Sequence, residues 1–260
     1  MIQADSPQAL KIKDIKIENS YTKTLELDGS LPAAPGQFVM VWLPGLDEKP
    51  FSLAAADPIR LTIAAVGRFT KAVHQLRIGD RLWVRGPLGL GFRLPAQTEP
   101  PQKILQVGGG YGVAPLLFLA KLAIRKQHHV SMIIGASSTP NLLFVDAFNA
   151  LNISLRLTTE DGSTGQQGRV TDAMSLLCAN RDTKPQRVYA CGPTAMLVAV
   201  ARLCRREAIP FQLAWEAHMR CGIGLCGSCE LGQGWLTCLD GPVFSFNPME
   251  ISPIAEMPRF

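Results

Sequence analysis

Short segments in which apolar and polar residues alternate occupy the first ninety residues of the chain. Residues 10–17 read LKIKDIKI, and this near-alternation is typical of a half-buried β-strand. Further strands are predicted at 21–27, 37–43, 61–66 and 81–84, with one short helix at 70–76 capped near Phe69 or Thr70. Short strands at even spacing, separated by Gly, Pro and Asp, favour a barrel or sandwich, and we expect an antiparallel β-barrel.

The pattern changes after the proline-containing segment EPPQK at residues 99–103, which we interpret as a linker. Beyond it, apolar strands alternate with amphipathic helices, an order that predicts a doubly wound parallel α/β domain. The predicted strands are 104–107, 130–134, 154–157, 188–190 and 211–214, and the predicted helices are 113–125, 142–151 (capped by Asn141), 170–177 and 195–205. A last strand is predicted at 243–246, before an irregular tail at 247–260 that could lie against a partner.

Four of the seven cysteines lie close together near the end of the chain, spaced C-x4-C-x2-C and then eight residues before the fourth. This is the plant-type spacing for a [2Fe–2S] cluster. Glycines between them would let the loop bend around a cluster and bring backbone N–H groups to sulfur. A zinc site is the alternative, although four-cysteine zinc sites usually carry two short C-x2-4-C pairs. The predicted ligands are Cys221, Cys226, Cys229 and Cys238, and the glycines are Gly222, Gly224 and Gly227.

Composition and charge limit the setting of this site. The chain has 260 residues, 47% hydrophobic and 18% charged, which fits about two domains with an apolar surface suited to a partner subunit. Its positive residues are scattered, so the net charge of +5 does not indicate nucleic-acid binding. We see neither a signal peptide nor an apolar run of ~18 residues, and expect no membrane segment. Three further cysteines, Cys178, Cys191 and Cys204, favour a reducing compartment, and we expect a cytoplasmic protein.

Two turns in the α/β region carry candidate nucleotide-binding chemistry. The first, GGGYGVAP, lies between a predicted strand and a predicted helix, where backbone N–H groups can hold a dinucleotide phosphate. The second, CGP, occupies the same position after a later strand. For both, an ordinary tight turn is the alternative. Residues 135–139 contain neither a basic residue for a 2′-phosphate nor an acidic one, which only weakly favours NAD over NADP. The candidate residues are Gly108, Gly109, Gly110, Gly112, Cys191, Gly192 and Pro193.

Taken in order, these motifs resemble the ferredoxin–NADP reductase superfamily: a KPFS strand, a GRFT helix start, the GGGYGVAP turn and YACGP. The cysteine loop and the following CLDGPVF are similar to the electron transfer subunits of type B dihydroorotate dehydrogenases. The resemblance implies FAD in the barrel, whereas chemistry alone leaves KPFSL and GRFT open as ordinary strand and helix starts. The implied FAD contacts are Lys49, Pro50, Phe51 and Ser52; Thr62, Ile63 and Ala64; and Phe69 and Thr70 for the pyrophosphate.

This chain departs from the superfamily pattern at two of those positions. Lys49 stands where relatives commonly carry Arg, and it loses the bidentate fork of a guanidinium. Phe69 stands in place of the second glycine of a common G-x-G-T, which makes the approach of the backbone less close. No residue is predicted to act as a base or a nucleophile, because hydride transfer between nicotinamide and flavin needs positioning alone.

The resemblance implies an electron path from NAD(H) through FAD and [2Fe–2S] to a partner, namely an FMN-containing dihydroorotate dehydrogenase catalytic subunit in a heterotetramer with two copies of each chain. We expect three domains: 1–99 for FAD, 100–213 for NAD and 214–260 for the cluster. The same path could serve another partner, as in the flavin subunit of a sulfhydrogenase or an NADH-dependent ferredoxin:NADP oxidoreductase. A zinc-stabilised binding module without enzymatic activity is the alternative from a different class.

Overall fold

The computed structural model describes residues 6–96 and 98–247, and the chain separates into two units. The first contains residues 6–91 together with 217–243, so the cysteine loop belongs to the same unit as the N-terminal strands. The second contains residues 92–216 and 244–247, apart from position 97. The three domain boundaries expected from the sequence stay a prediction, and the tail at 248–260 lies outside the described residues.

The first unit is built on a closed antiparallel barrel of strand order β1-β2-β5-β4-β3-β6, as predicted. Successive side chains of β3 point to opposite faces of the strand, so β3 packs on both sides of the barrel wall. Val39 and Val41 are buried in the barrel core, whereas Phe38 and Met40 are buried against the cysteine segment. The elements are β1 (Gln8–Asn19), β2 (Thr22–Leu27), β3 (Phe38–Leu43), β4 (Asp47–Ala56), β5 (Ile59–Ala64), α1 (Arg68–Val73) and β6 (Arg81–Leu88).

The short helix begins earlier than the sequence pattern indicated. We predicted residues 70–76 with a cap near Phe69 or Thr70, but α1 begins at Arg68 and its N-cap is Gly67. The Thr70 hydroxyl accepts a hydrogen bond from the Gly67 backbone N–H at 2.9 Å and donates one to the Gly67 carbonyl at 3.1 Å. Thr70 therefore stabilises the first turn from inside the helix rather than capping it.

The second unit is built on a seven-strand sheet of order β10-β9-β8-β7-β11-β12-β13, in which β7 to β12 pair in parallel with helices between them. The predicted fold class is confirmed. β12 is not the last strand of the sheet, because β13 lies beyond it. The elements are β7 (Lys103–Gly109), α2 (Val113–Arg125), β8 (His129–Ala136), α3 (Val145–Asn149), β9 (Ser154–Thr159), β10 (Gln166–Gln167), α4 (Val170–Ala179), β11 (Arg187–Cys191), α5 (Thr194–Arg206), β12 (Phe211–Ala214) and β13 (Val243–Phe246).

One predicted helix, at residues 142–151 with Asn141 as its cap, is wrong in extent. Only α3 is helical there, and Asn141 closes a separate 3₁₀ turn that begins at Thr139. Leu142 is extended and Phe144 has a left-handed φ of 61°, so the helix cannot begin before Val145. Among the described residues, no helix combines the length and apolar character needed to cross a membrane.

Candidate functional site

The loop after residue 220 brings the four predicted cysteine ligands together as two pairs. Cys229 Sγ and Cys238 Sγ lie 3.3 Å apart in the interior, while Cys221 lies beside the exposed Cys226. Among the described residues, no three His, Cys, Asp or Glu side chains are grouped to hold one metal ion. Two pairs of thiolates are what the two irons of a [2Fe–2S] cluster require, so this donor set fits that cluster.

The loop conformation also suits an electron-rich sulfur centre. The Gly224 backbone N–H donates to Cys238 Sγ at 3.2 Å, and the Leu225 backbone N–H donates to Cys221 Sγ at 3.4 Å. Gly222, Gly224 and Gly227 have φ values of 70°, 80° and 70°, a left-handed region that other residues rarely adopt. These glycines are therefore what allows the loop to direct its N–H groups toward sulfur.

The exposed and buried cysteines differ in how readily they ionise. The Ser228 side chain and backbone hydrogen bonds lower the pKa of Cys226 to about 6, because they favour the thiolate. Burial raises the pKa of Cys238 in its interior position beside Cys229. The thiolate form of Cys226 is therefore favoured near neutral pH.

The cysteine segment is seated on the barrel wall through a small apolar cluster. Phe38 and Met40 of β3 contact Met219, Cys229 and Cys238, and all five are at most 5% exposed. Burial on this scale fixes the two interior cysteines against a rigid strand. The barrel therefore fixes the position of the cysteine loop.

The two glycine turns of the second unit meet at adjacent strand ends. Cys191 at the end of β11 is paired with Gly108 of β7, so both turns lie at the carboxyl edge of the parallel sheet. A Cβ on Gly112 would lie 2.6 Å from the Cys191 carbonyl oxygen, and one on Gly192 would lie 3.0 Å from Gly109 N. Such close approach of backbone to backbone requires glycine at these points, so the motif reflects packing of one turn on the other.

Helix α2 offers the N-terminus that a pyrophosphate would need. It follows the Gly110–Gly112 turn directly, runs for 13 residues and has no acidic residue in its first turn. Gly110 has a φ of 55°, and a Cβ there would meet nothing within 4 Å. The turn therefore leaves open space at a helix N-terminus, which fits the phosphates of a dinucleotide.

Two residues beside these turns were not singled out from the sequence. The Tyr111 hydroxyl donates to Glu216 Oε2 at 3.2 Å, and partial burial together with that carboxylate raises the pKa of Tyr111 to about 12. Burial also raises the pKa of the Cys191 thiol, which keeps the thiol neutral. Their positions in the sequence could have indicated them, since Tyr111 lies inside the glycine turn and Glu216 follows the last parallel strand.

Acidic residues do approach the loop at 135–139, although none lies within it. Glu160 and Asp161 follow β9, and the Asp161 backbone N–H donates to the Ser137 carbonyl at 3.2 Å. The Ser163 hydroxyl donates to the Asp161 carboxylate at 2.6 Å and lowers the pKa of Asp161, which keeps it ionised. Sheet pairing of β8 with β9 brings these acidic residues to the loop, so the sequence of residues 135–139 alone does not indicate them.

The predicted FAD contacts divide into two groups on the barrel. Phe51 and Phe69 stack at a centroid distance of 6.1 Å, and Ser52 is exposed on the same strand as Phe51. By contrast, Ile63 is in the barrel core and the Thr62 hydroxyl lies 3.0 Å from that of Thr24. A contact from Thr62 or Ile63 to a flavin would therefore come from the backbone.

The remaining predicted FAD positions have local partners. Lys49 Nζ forms an ion pair with Asp47 Oδ2 at 2.6 Å, and this interaction lowers the pKa of Asp47. Pro50 is opposite Met40 on β3, and Ala64 is 7% exposed at the end of β5. The half-buried Phe51 and the charged Lys49 suit a ring system with a phosphate tail, so this strand fits a flavin nucleotide.

The comparisons with known proteins identify the class first. Residues 106–202 match the oxidoreductase NAD-binding domain, and residues 216–250 match the iron–sulfur cluster binding domain of dihydroorotate dehydrogenase B. A chain from the structure of an NADH-dependent reduced ferredoxin-NADP oxidoreductase superposes with a TM-score of 0.77 at 30% identity, covering 91% of this chain and 87% of that one. The chain is thus an oxidoreductase subunit with a ferredoxin reductase-like fold.

The sequence relatives are more specific. The probable dihydroorotate dehydrogenase B (NAD(+)) electron transfer subunit of Thermococcus kodakarensis is 42% identical, covering 85% of this chain and 89% of the relative. The protein of the same description from Methanocaldococcus jannaschii is 37% identical, with coverages of 92% and 90%. The chain belongs to this family of electron transfer subunits. The family resemblance and the cofactor prediction of FAD, a [2Fe–2S] cluster and NAD(H) are confirmed.

Proposed function

We propose that this chain passes electrons between NAD(H) and the FMN-containing catalytic subunit of a dihydroorotate dehydrogenase, in pyrimidine biosynthesis. The observation that carries the proposal is the paired cysteine loop, seated on the barrel within the segment that matches the iron–sulfur domain of that enzyme. Nicotinamide transfers a hydride, FAD exchanges two electrons or one, and a [2Fe–2S] cluster carries single electrons. The residues of this chain serve to bind, orient and insulate those groups.

On the barrel, we propose that Lys49, Phe51 and Ser52 hold the FAD. Phe51 is stacked on Phe69, so its ring is already oriented and offers an apolar side to a flat ligand. The Thr70 hydroxyl is already hydrogen-bonded to Gly67 in the first turn of α1, so a phosphate there would contact the backbone of Thr70 rather than its hydroxyl. Backbone contacts from Thr62, Ile63, Ala64 and Pro50 complete the proposed set.

In the second unit, we propose that Gly108, Gly109, Gly110 and Gly112 bind the dinucleotide phosphates and that Cys191, Gly192 and Pro193 lie under the nicotinamide. The close packing of the two turns supports a single nucleotide site. We propose NAD rather than NADP, because Glu160 and Asp161 would repel a 2′-phosphate near the 135–139 loop.

We propose that the partner meets the exposed side of the cysteine loop. Cys226 is exposed there, with Leu225 80% and Leu239 51% exposed nearby. Large apolar side chains beside an exposed metal ligand are suited to burial in an interface with another subunit. Two copies of each subunit in a twofold heterotetramer, located in the cytoplasm, complete the proposal. The seven cysteines, none of them in a disulfide, fit a reducing compartment.

The test is co-purification of the untagged partner with the tagged full chain, followed by flavin and metal analysis. We expect an FMN-containing partner and NAD reduction that depends on dihydroorotate. The Cys226→Ser variant serves as the control, since it should stop dihydroorotate-linked NAD reduction while NADH-to-dye activity persists. A nickel–iron or multi-cluster partner without dihydroorotate oxidation would contradict the proposal and favour the sulfhydrogenase or ferredoxin:NADP oxidoreductase alternative.

A further inference from the structure

One arginine links the barrel wall directly to the first cysteine of the loop. Arg85 of β6 donates from Nε and Nη2 to the two carboxylate oxygens of Glu48, at 2.7 and 2.9 Å. The same Nη2 donates to the Cys221 backbone carbonyl at 2.7 Å. A planar guanidinium can satisfy all three bonds at once, and an ammonium group cannot reproduce that geometry.

Packing of the next residue, Gly222, against the barrel reinforces the hydrogen bond between Arg85 and Cys221. Arg85 is opposite Met40 in the pairing of β6 with β3. A Cβ on Gly222 would lie 3.1 Å from Met40 Cγ and 3.3 Å from Leu88 Cδ1, so the loop backbone lies close to the barrel there. The peptide between Cys221 and Gly222 is therefore held from two directions, by a charged hydrogen bond and by packing.

The Arg85 side chain is shielded from solvent more than the basic side chains of the other described ion pairs in the barrel. The Arg85 side chain is 14% exposed and that of Glu48 is 25% exposed, compared with 44% and 25% for Arg60 and Glu26. Water and salt screen a partly buried charge weakly, so its field extends to neighbouring groups. Arg60 of β5 pairs with Glu26 of β2 through the single oxygen Oε2, and no contact joins that pair to the described cysteines.

We propose that Arg85 is a positioning residue for the iron–sulfur centre: it holds the Cys221 ligand in place through its carbonyl, and the Arg85–Glu48 pair sets the reduction potential of the centre. Glu48 orients the guanidinium and balances its charge. Removing one member leaves the other uncompensated beside a centre whose charge changes by one on reduction. This inference rests on the proposed function to the extent that it requires a cluster on the four cysteines.

The experiment measures the midpoint potential of the cluster by an EPR-monitored redox titration of the full chain. Arg85→Met leaves the Glu48 carboxylate unbalanced, so we expect the potential to shift downward. Glu48→Gln leaves the guanidinium unbalanced, so we expect an upward shift. Arg60→Met is the matched control and should leave the potential at the wild-type value. Shifts of the same sign in both variants, or no difference from the control, would overturn the inference.

Loss of the cluster in a variant is informative as well. If Arg85→Met binds FAD but lacks iron, Arg85→Lys is made as well, because it restores the charge and a single donor nitrogen. Recovery of two irons per chain in Arg85→Lys supports positioning. An iron-free Arg85→Lys together with an unshifted Glu48→Gln would overturn the inference. A wild-type chain that does not hold two irons would instead refute the cluster and with it the proposed function.

Discussion

Gly112 packs directly against the backbone of the second nucleotide turn, so Gly112→Ala tests whether the two turns form one site. Its φ of −62° suits any residue, so the substitution introduces a steric change alone. The new Cβ would lie 2.6 Å from the Cys191 carbonyl oxygen, and backbone atoms cannot rotate away. The turns would have to separate by about 0.8 Å to reach the 3.4 Å of an ordinary contact.

Misplacement by about 1 Å can lower a rate roughly 10²-fold, and overpacking costs about 1–3 kcal/mol of stability. We therefore expect Gly112→Ala to slow reduction of the bound flavin by NADH about 10- to 100-fold. Anaerobic stopped-flow absorbance of the flavin measures this rate directly. Gly79→Ala in the barrel is the matched control, because it lies outside the proposed sites, its Cβ meets nothing within 4 Å and only the positive-φ backbone, at about 1–2 kcal/mol, is strained.

Wild-type kinetics in Gly112→Ala, with an unchanged dependence on NADH concentration, would refute this reasoning. The same would hold if Gly79→Ala slowed the reaction as much, since backbone strain without displacement of the turns would then explain the loss. Thermal unfolding of both variants shows whether the fold is retained while the rate is compared.

Three further outcomes are expected. Cys226→Ser should lose the cluster absorbance and electron transfer to the partner while keeping NADH-to-dye activity, and loss of that activity in a folded variant would contradict the proposed cofactor order. Gly222→Ala and Gly227→Ala place alanine at the same φ of 70°, but only Gly222→Ala adds a contact with the barrel. In a denaturant titration followed by cluster absorbance, the free energy of unfolding of Gly222→Ala should be about 1 kcal/mol lower than that of Gly227→Ala, and equal denaturation midpoints would contradict the packing of the loop on the barrel. Cys191 should resist iodoacetamide from pH 6 to 9 in the native chain and react after unfolding, because it is buried and burial raises its pKa; labelling at Cys191 itself in the native chain, located by peptide mass mapping, would contradict this.

Elements with long, regular patterns could be predicted from the sequence. Helix α2 and strand β12 occupy the predicted residues because apolar periodicity and flanking glycine or proline define them. Helix α3 is shorter than predicted because Phe144 adopts a left-handed conformation directly after the buried Leu143. A conformational break of this kind at a large apolar residue has no local sequence signal.

In the candidate site, too, local features could be predicted from the sequence, whereas contacts between distant segments could not. The cysteine spacing predicts a cluster without reference to the fold, because three of the ligands lie on one short loop. Arg85 and Glu48, in contrast, reach Cys221 across more than a hundred residues of sequence, through strand pairing that only the folded barrel creates. Asp161 approaches the 135–139 loop for the same reason, since β9 lies beside β8. Contacts between distant segments are therefore what the sequence patterns could not indicate.

The central claim is that one chain converts the hydride of NADH into single electrons carried by an iron–sulfur cluster. The most direct measurement is anaerobic addition of NADH to the purified full chain, followed by optical and low-temperature EPR spectra. We predict one FAD and two irons per chain, bleaching of the flavin bands, and the EPR signal of a reduced [2Fe–2S] cluster. A colourless chain that contains one zinc ion, or a flavin that is reduced while no cluster signal develops at any potential, would contradict the account.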